Sequence, residues 1–97
     1  MEIKSYPADE CDRYISAGGI LGEVIARCAK LSYNTDDKDI KAAILEFETP
    51  YAIWRNKLKI ADKEAVDRVY SDVKPLIDSN KITIDYILQH SRYALVS

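Results

Sequence analysis

The sequence predicts an all-α protein, an irregular antiparallel bundle of about four helices, and three observations carry that expectation. From Asp39 to Ile60, the residues Ile40, Ile44, Phe47, Tyr51, Trp54 and Leu58 recur at alternating spacings of four and three, an unbroken helical stripe. It holds the only Trp and the only Phe, so the core is expected on this face. Two further segments keep a helical period. Strand-like alternation is confined to Ile82, Ile84 and Tyr86, which have no second strand to pair with.

Residues 1–8 set Ile3 and Tyr6 among polar neighbours before Pro7, which predicts an extended arm lying on the body. Helix signals begin at Asp9, where Asp9, Glu10 and Asp12 load a first turn with the charge that a helix N-terminus favours. Tyr14, Ile15, Leu21, Val24, Ile25, Cys28 and Leu31 continue a helical period to about Ser32. All three glycines, Gly18, Gly19 and Gly22, fall in the middle of this segment, each costing an exposed helix about 1 kcal/mol relative to alanine. Two explanations stand side by side. Either a turn divides a short helix from a longer one, or a smooth face lets another backbone come close.

Tyr33 to Thr35 read as a polar connection, with Thr35 or Asp36 capping the next helix. The acidic cluster of Asp36, Asp37 and Asp39 resembles a calcium loop only superficially, because the glycine and glutamate that such a loop needs are missing. Pro50 interrupts the central stripe. Thr49 and Pro50 could start a new helix, but the heptad phase runs through the proline without a slip, which favours one kinked helix over two. Asp62 caps a third helix built on Val66, Val69, Tyr70, Val73 and Leu76 or Ile77, which is kinked or broken at Pro75. Asp78, Ser79 and Asn80 read as a turn, and a last helix follows, capped by Asn80 or Thr83.

Ninety-seven residues with 47% apolar content suit a single domain, residues 1–97, large enough to fold without disulfides or metal. Fourteen basic against sixteen acidic residues argue against a general nucleic-acid binder, whose affinity comes largely from phosphate neutralisation. Residues 1–50 carry six basic and ten acidic side chains, net −4, and residues 51–97 carry eight and six, net +2. Cys11 and Cys28 are too far apart for a Cys-x-x-Cys pair and are expected to be reduced, half-buried thiols. No apolar segment suggests a secretory signal or a membrane span, so a cytoplasmic location is the default expectation.

Catalytic and metal chemistry find little material. The single His90 has no glycine-flanked nucleophile near it and is expected to stack on Tyr86, four residues earlier. Glu46 and Glu48 fall on different sides of a helix, and no phosphate-binding, dinucleotide, zinc or di-iron pattern occurs. The expectation is a protein without enzymatic activity, cofactor or metal.

Two constellations could carry binding. Trp54, Arg55, Asn56, Lys57, Leu58 and Lys59, followed by Lys63, place cations beside aromatics, and Arg55 and Lys59 would share one helical face able to grip an anion. Arg68 and Lys74 could extend that patch. The plainer account is a solvated, dipole-complementing helix end. Seven tyrosines against one phenylalanine suit partly wetted interfaces, and Tyr86 and Tyr93 share a face at seven-residue spacing. The functional expectation is a protein-interaction module, such as an inhibitor, an immunity-type protein or a small assembly subunit, with homo-oligomerisation expected. Its binding residues would be Tyr51, Trp54, Arg55, Lys59, Lys63, Tyr86 and Tyr93. The alternative is a helical binder of an anionic small ligand such as a nucleotide, held by Arg55, Lys59 and an aromatic neighbour.

Overall fold

The computed structural model describes residues 8–90. The expected arm lies outside them, except that Ala8 already belongs to the first helix. Helix α1 (Ala8–Tyr33) is followed by α2 (Lys38–Lys57), and the two form an antiparallel hairpin. Next come α3 (Lys63–Arg68), a π-helical turn (Val69–Val73) and α4 (Lys74–Asp78), which continue one another as a single rod. The short α5 (Ile84–Gln89) packs on α2. The described residues thus form an all-helical bundle of four rods.

The hub is α1, which touches α2, α3, the π turn and α4. Ala17, Leu21, Val24 and Cys28, spaced four, three and four, are fully buried on its inner face. They meet Ala43, Ile44 and Leu58 from the α2 segment, Val66, Val69 and Val73 from the third rod, and Ile82 and Ile87 from the last segment. The predicted stripe faces this core throughout: Ile44 and Leu58 are buried, and Ile40, Phe47, Tyr51 and Trp54 pack against it. Ile15 departs from expectation. Tyr14 takes the inner place, its hydroxyl donating to the Leu58 carbonyl at 3.3 Å, and Ile15, about 100° further round the helix, is 68% exposed.

No turn divides α1 at its glycines. Gly18 and Gly19 have open space where a Cβ would stand, whereas one on Gly22 would sit 3.4 Å from the Arg55 guanidinium carbon. The close approach of another backbone is not seen either: the nearest atoms to Gly22 belong to the Arg55 side chain, at ordinary contact distance.

The caps explain the boundaries. Asp37, not Thr35 or Asp36, caps α2, its carboxylate accepting from the Asp39 and Ile40 amides at 2.9 and 3.2 Å. The Thr35 hydroxyl instead accepts from the Asp37 amide and fixes the approach to the cap. Asp62 and Thr83 cap α3 and α5. Asn80 belongs to the end of α4, not to the start of α5: its φ is 51°, and the amides of Asn80 and Lys81 donate to the carbonyls of Ile77 and Leu76, closing a Schellman turn.

The two internal prolines are handled differently. Helix α2 is not broken at Pro50; it continues to Lys57, and the Thr49 hydroxyl donates back to the Leu45 carbonyl at 2.7 Å rather than starting a new helix. Nor is the third rod broken at Pro75. The irregularity precedes the proline, where the Lys74 amide reaches back five residues to the Val69 carbonyl. Widening there makes room beside Ser71, whose carbonyl a proline ring four residues later would otherwise crowd.

Candidate functional site

The residues singled out from the sequence do not gather into one site. Tyr51 and Trp54 are half-buried pieces of the core edge, Tyr51 with its ring 5.3 Å from Phe47. Burial pushes the Tyr51 phenol above its ordinary pKa, with Tyr86, Cys28 and Asp72 adding to the shift. Trp54 lines a shallow depression with Ala65 and Arg68. Tyr86 stands edge-on to Phe47 at 6.1 Å and stacks on His90 at 4.2 Å, as expected for that histidine, whose Nδ1 lies 2.9 Å from the Tyr86 carbonyl oxygen. Tyr93 lies outside the described residues.

The basic patch is dispersed as well. Helix α2 ends at Lys57, and Leu58 turns into extended backbone with ψ 131°, so Arg55 and Lys59 do not share a helical face. Burying Leu58 in the core requires that turn and sends Lys59 away from the helix axis. Lys63 is tied to Glu10 of α1 at 2.6 Å, a bond that raises the lysine pKa. Arg68 and Lys74 have acidic neighbours one turn on, Asp72 at 4.0 Å and Asp78 at 2.8 Å. These exposed cations are solvated helix surface, and each such pair is worth about 0–1 kcal/mol.

The cysteines are free, and Cys28 is fully buried rather than half-buried. Burial first, then the Glu48 carboxylate, pushes its thiol up to about 12, far from nucleophilic use near neutral pH. Among the described residues no group of three His, Cys, Asp or Glu side chains could hold a metal ion, and no helix is long and apolar enough to cross a membrane.

What the structure does leave exposed is a set of large apolar side chains on the α1–α2 hairpin. Ile15 is 68% exposed, Tyr33 88%, Leu45 63% and Ile53 48%. On α1, Ile15, Gly18, Gly22, Ala26, Ala29 and Tyr33 follow one another at spacings of three and four, opposite the buried stripe. Charge between Ile15 and Tyr33 is restricted to Glu23, Arg27 and Lys30, which share one flank, and Arg27 holds Glu23 at 2.9 Å. On α2 the outward positions Leu45, Thr49, Ala52, Ile53 and Asn56 are uncharged too. The two helices meet at the outer surface where Arg55 lies over Gly22.

None of Ile15, Tyr33, Leu45 and Ile53 is among the binding residues expected from sequence. A signal for them existed in the phase: Leu45 and Ile53 stand outside the core stripe of α2, and Ile15 lies well away from Leu21 and Cys28 around α1. On the flank bearing Glu23, Arg27 and Lys30, an open cleft of about 520 Å³ is completed by Ala26, Leu31, Asn34 and Ile82.

Compared with known proteins, the sequence matches no family model, no curated protein and no solved structure at a significant level.

Proposed function

We propose that this chain is a non-catalytic protein-interaction module, such as an inhibitor, an immunity-type protein or a small assembly subunit, and that it docks through the outer face of the α1–α2 hairpin. One observation carries the reading: four large apolar side chains stand exposed on a helix pair whose charge on the outer side of α1 is confined to the Glu23, Arg27 and Lys30 flank, with Leu45, Thr49, Ala52, Ile53 and Asn56 of α2 uncharged. Scattered exposed apolar residues are ordinary, but a helical face that combines them with depletion of charge has the composition of an interface centre. Among the tyrosines Tyr33 is the candidate, the most exposed of the four, because Tyr51 packs against the core and Tyr86 is engaged with Phe47 and His90.

Affinity capture from the native cell with the wild-type chain, beside Tyr33→Lys and Leu45→Glu variants, tests the reading. Both positions are solvent-facing, so thermal stability should stay within about 0.5 kcal/mol of wild type while capture is lost. Capture unchanged by both substitutions would sink it.

The anionic-ligand alternative loses its expected pair, because Arg55 and Lys59 are not on one helix. It retains the cleft beside Arg27 and Lys30. Arg27 there already donates to Glu23 and to the Asn80 side chain at 3.2 Å, which leaves Lys30 to supply most of the attraction.

A further inference from the structure

The occupant of the hairpin's outer face can be argued from its symmetry, and the argument rests on that face being the docking surface. A two-fold interface must be self-complementary, each patch meeting the same patch reversed. The outer side of α1 satisfies this in part about residue 24. An antiparallel pairing in which residue i of one copy meets residue 48 − i of the other sets Ile15 against Tyr33, Gly19 against Ala29, and Gly22 against Ala26, while Gly18 faces Lys30. Large meets large at the ends, and small residues face one another beside the centre, where the Arg55 guanidinium covers Gly22.

Helix α2 extends the same symmetry. Arg55 lies beside Gly22, and the hairpin is antiparallel, so Ile53 stands at about the level of Val24 and therefore next to the two-fold axis. Charge points the same way. Arg55 and Glu48 are seven residues apart on one edge of α2, and neither makes a hydrogen bond or ion pair among the described residues. At about 1.5 Å of rise per residue, the two-fold brings Arg55 of one copy to within about 5 Å, along the axis, of the level of Glu48 of the other. Two cation–carboxylate pairs would form across the interface, each from groups without a hydrogen-bond or ion-pair partner among the described residues.

The size is also adequate. From Ile15 to Tyr33 the face runs about 27 Å, and two adjacent helices make it about 20 Å wide. That footprint is of the same order as the about 800 Å² per partner of a standard stable interface.

We propose that this face binds a second copy of the chain, as an antiparallel two-fold dimer with Arg55 of each copy paired to Glu48 of the other. The test is sedimentation of the full chain and of Arg55→Glu and Glu48→Arg variants, alone and mixed, over a concentration series. The wild type should sediment as a dimer. Each reversal alone places like charges together and should weaken dimerisation about tenfold or more. The equimolar mixture, in which every Glu again meets an Arg, should recover the dimer. Circular dichroism checks that both variants stay helical. Thr49→Glu, on the outer face away from the core, is a second variant expected to dissociate the dimer.

A wild type that is monomeric throughout overturns the proposal. So does a dimer indifferent to both reversals and to Thr49→Glu, or a mixture that stays monomeric. If the wild type is monomeric but the Tyr33→Lys and Leu45→Glu variants still lose a captured protein, the occupant is a different chain. The docking surface then stands, and only the self-association falls.

Discussion

The two faces of α1 differ in what their residues are for. The inner face spends Ala17, Leu21, Val24 and Cys28 on complete burial, and α2 and the third rod pack against α1. The outer face carries Ile15, three glycines, Ala26, Ala29 and Tyr33, with nothing within 4 Å of a Cβ at Gly18 or Gly19. A single periodic helix thus presents two surfaces low in charge, and only one of them is covered. Helical period alone does not distinguish a face that packs within the chain from one left to another molecule. That difference is measurable.

The largest effect is expected on the inner face. Leu21→Ala removes a fully buried side chain and leaves a cavity, so it should cost about 2–5 kcal/mol in denaturant unfolding. A cost below about 1 kcal/mol would mean that the inner face is loosely packed and that the contrast is false.

Alkaline pH provides the next comparison. The Cys28 thiol is raised from 9.0 to about 12 in the folded chain. The unfolded chain therefore gives up this proton first, and the folded chain loses stability as pH climbs from about 9 towards about 12. The raised pKa values of Tyr51 and Lys63 act in the same direction at somewhat higher pH. Below pH 9 none of these contributions should change. Cys28→Ala, though destabilised by its cavity, should show a shallower alkaline decline; an equal slope would remove the thiol from the account.

Substitutions on the outer face should do less, and at the glycines the sign reverses. Gly18→Ala and Gly19→Ala meet open space and remove backbone entropy from the unfolded chain, so each should stabilise α1 by up to about 1 kcal/mol under conditions that keep the chain monomeric. Destabilisation would show that the glycines already have a close neighbour. Ile15→Ser should be smallest, within about 0.5 kcal/mol, measured by thermal unfolding of dilute protein. A larger loss would place Ile15 in the core.

Much of the fold was legible because burial in a helix leaves a period. The stripe from Ile40 to Leu58 survived intact, as did the Asp62 and Thr83 caps and the stacking of His90 on Tyr86. The candidate binding residues were less legible. Tyr51, Trp54 and Tyr86 attracted attention as aromatics, and it is aromatic area that draws Tyr51 and Trp54 to the core edge and Tyr86 against Phe47. Arg55 and Lys59 looked paired because four-residue spacing implies a shared face only while the helix continues, and the turn at Leu58 ends it.

By itself the sequence determined the helical class, the central stripe and most of the boundaries, since these depend on local periodicity and on caps that act within three residues. Tertiary structure alone decided that α1 runs unbroken through its glycines, that the third rod widens ahead of Pro75, and which positions in α1 and α2 face outward. Those outcomes depend on where distant segments come to rest. The half-buried Tyr14 bonds the Leu58 carbonyl while Ile15 beside it is exposed, and Arg55 reaches across to Gly22, contacts between residues more than thirty positions apart that no local spacing encodes.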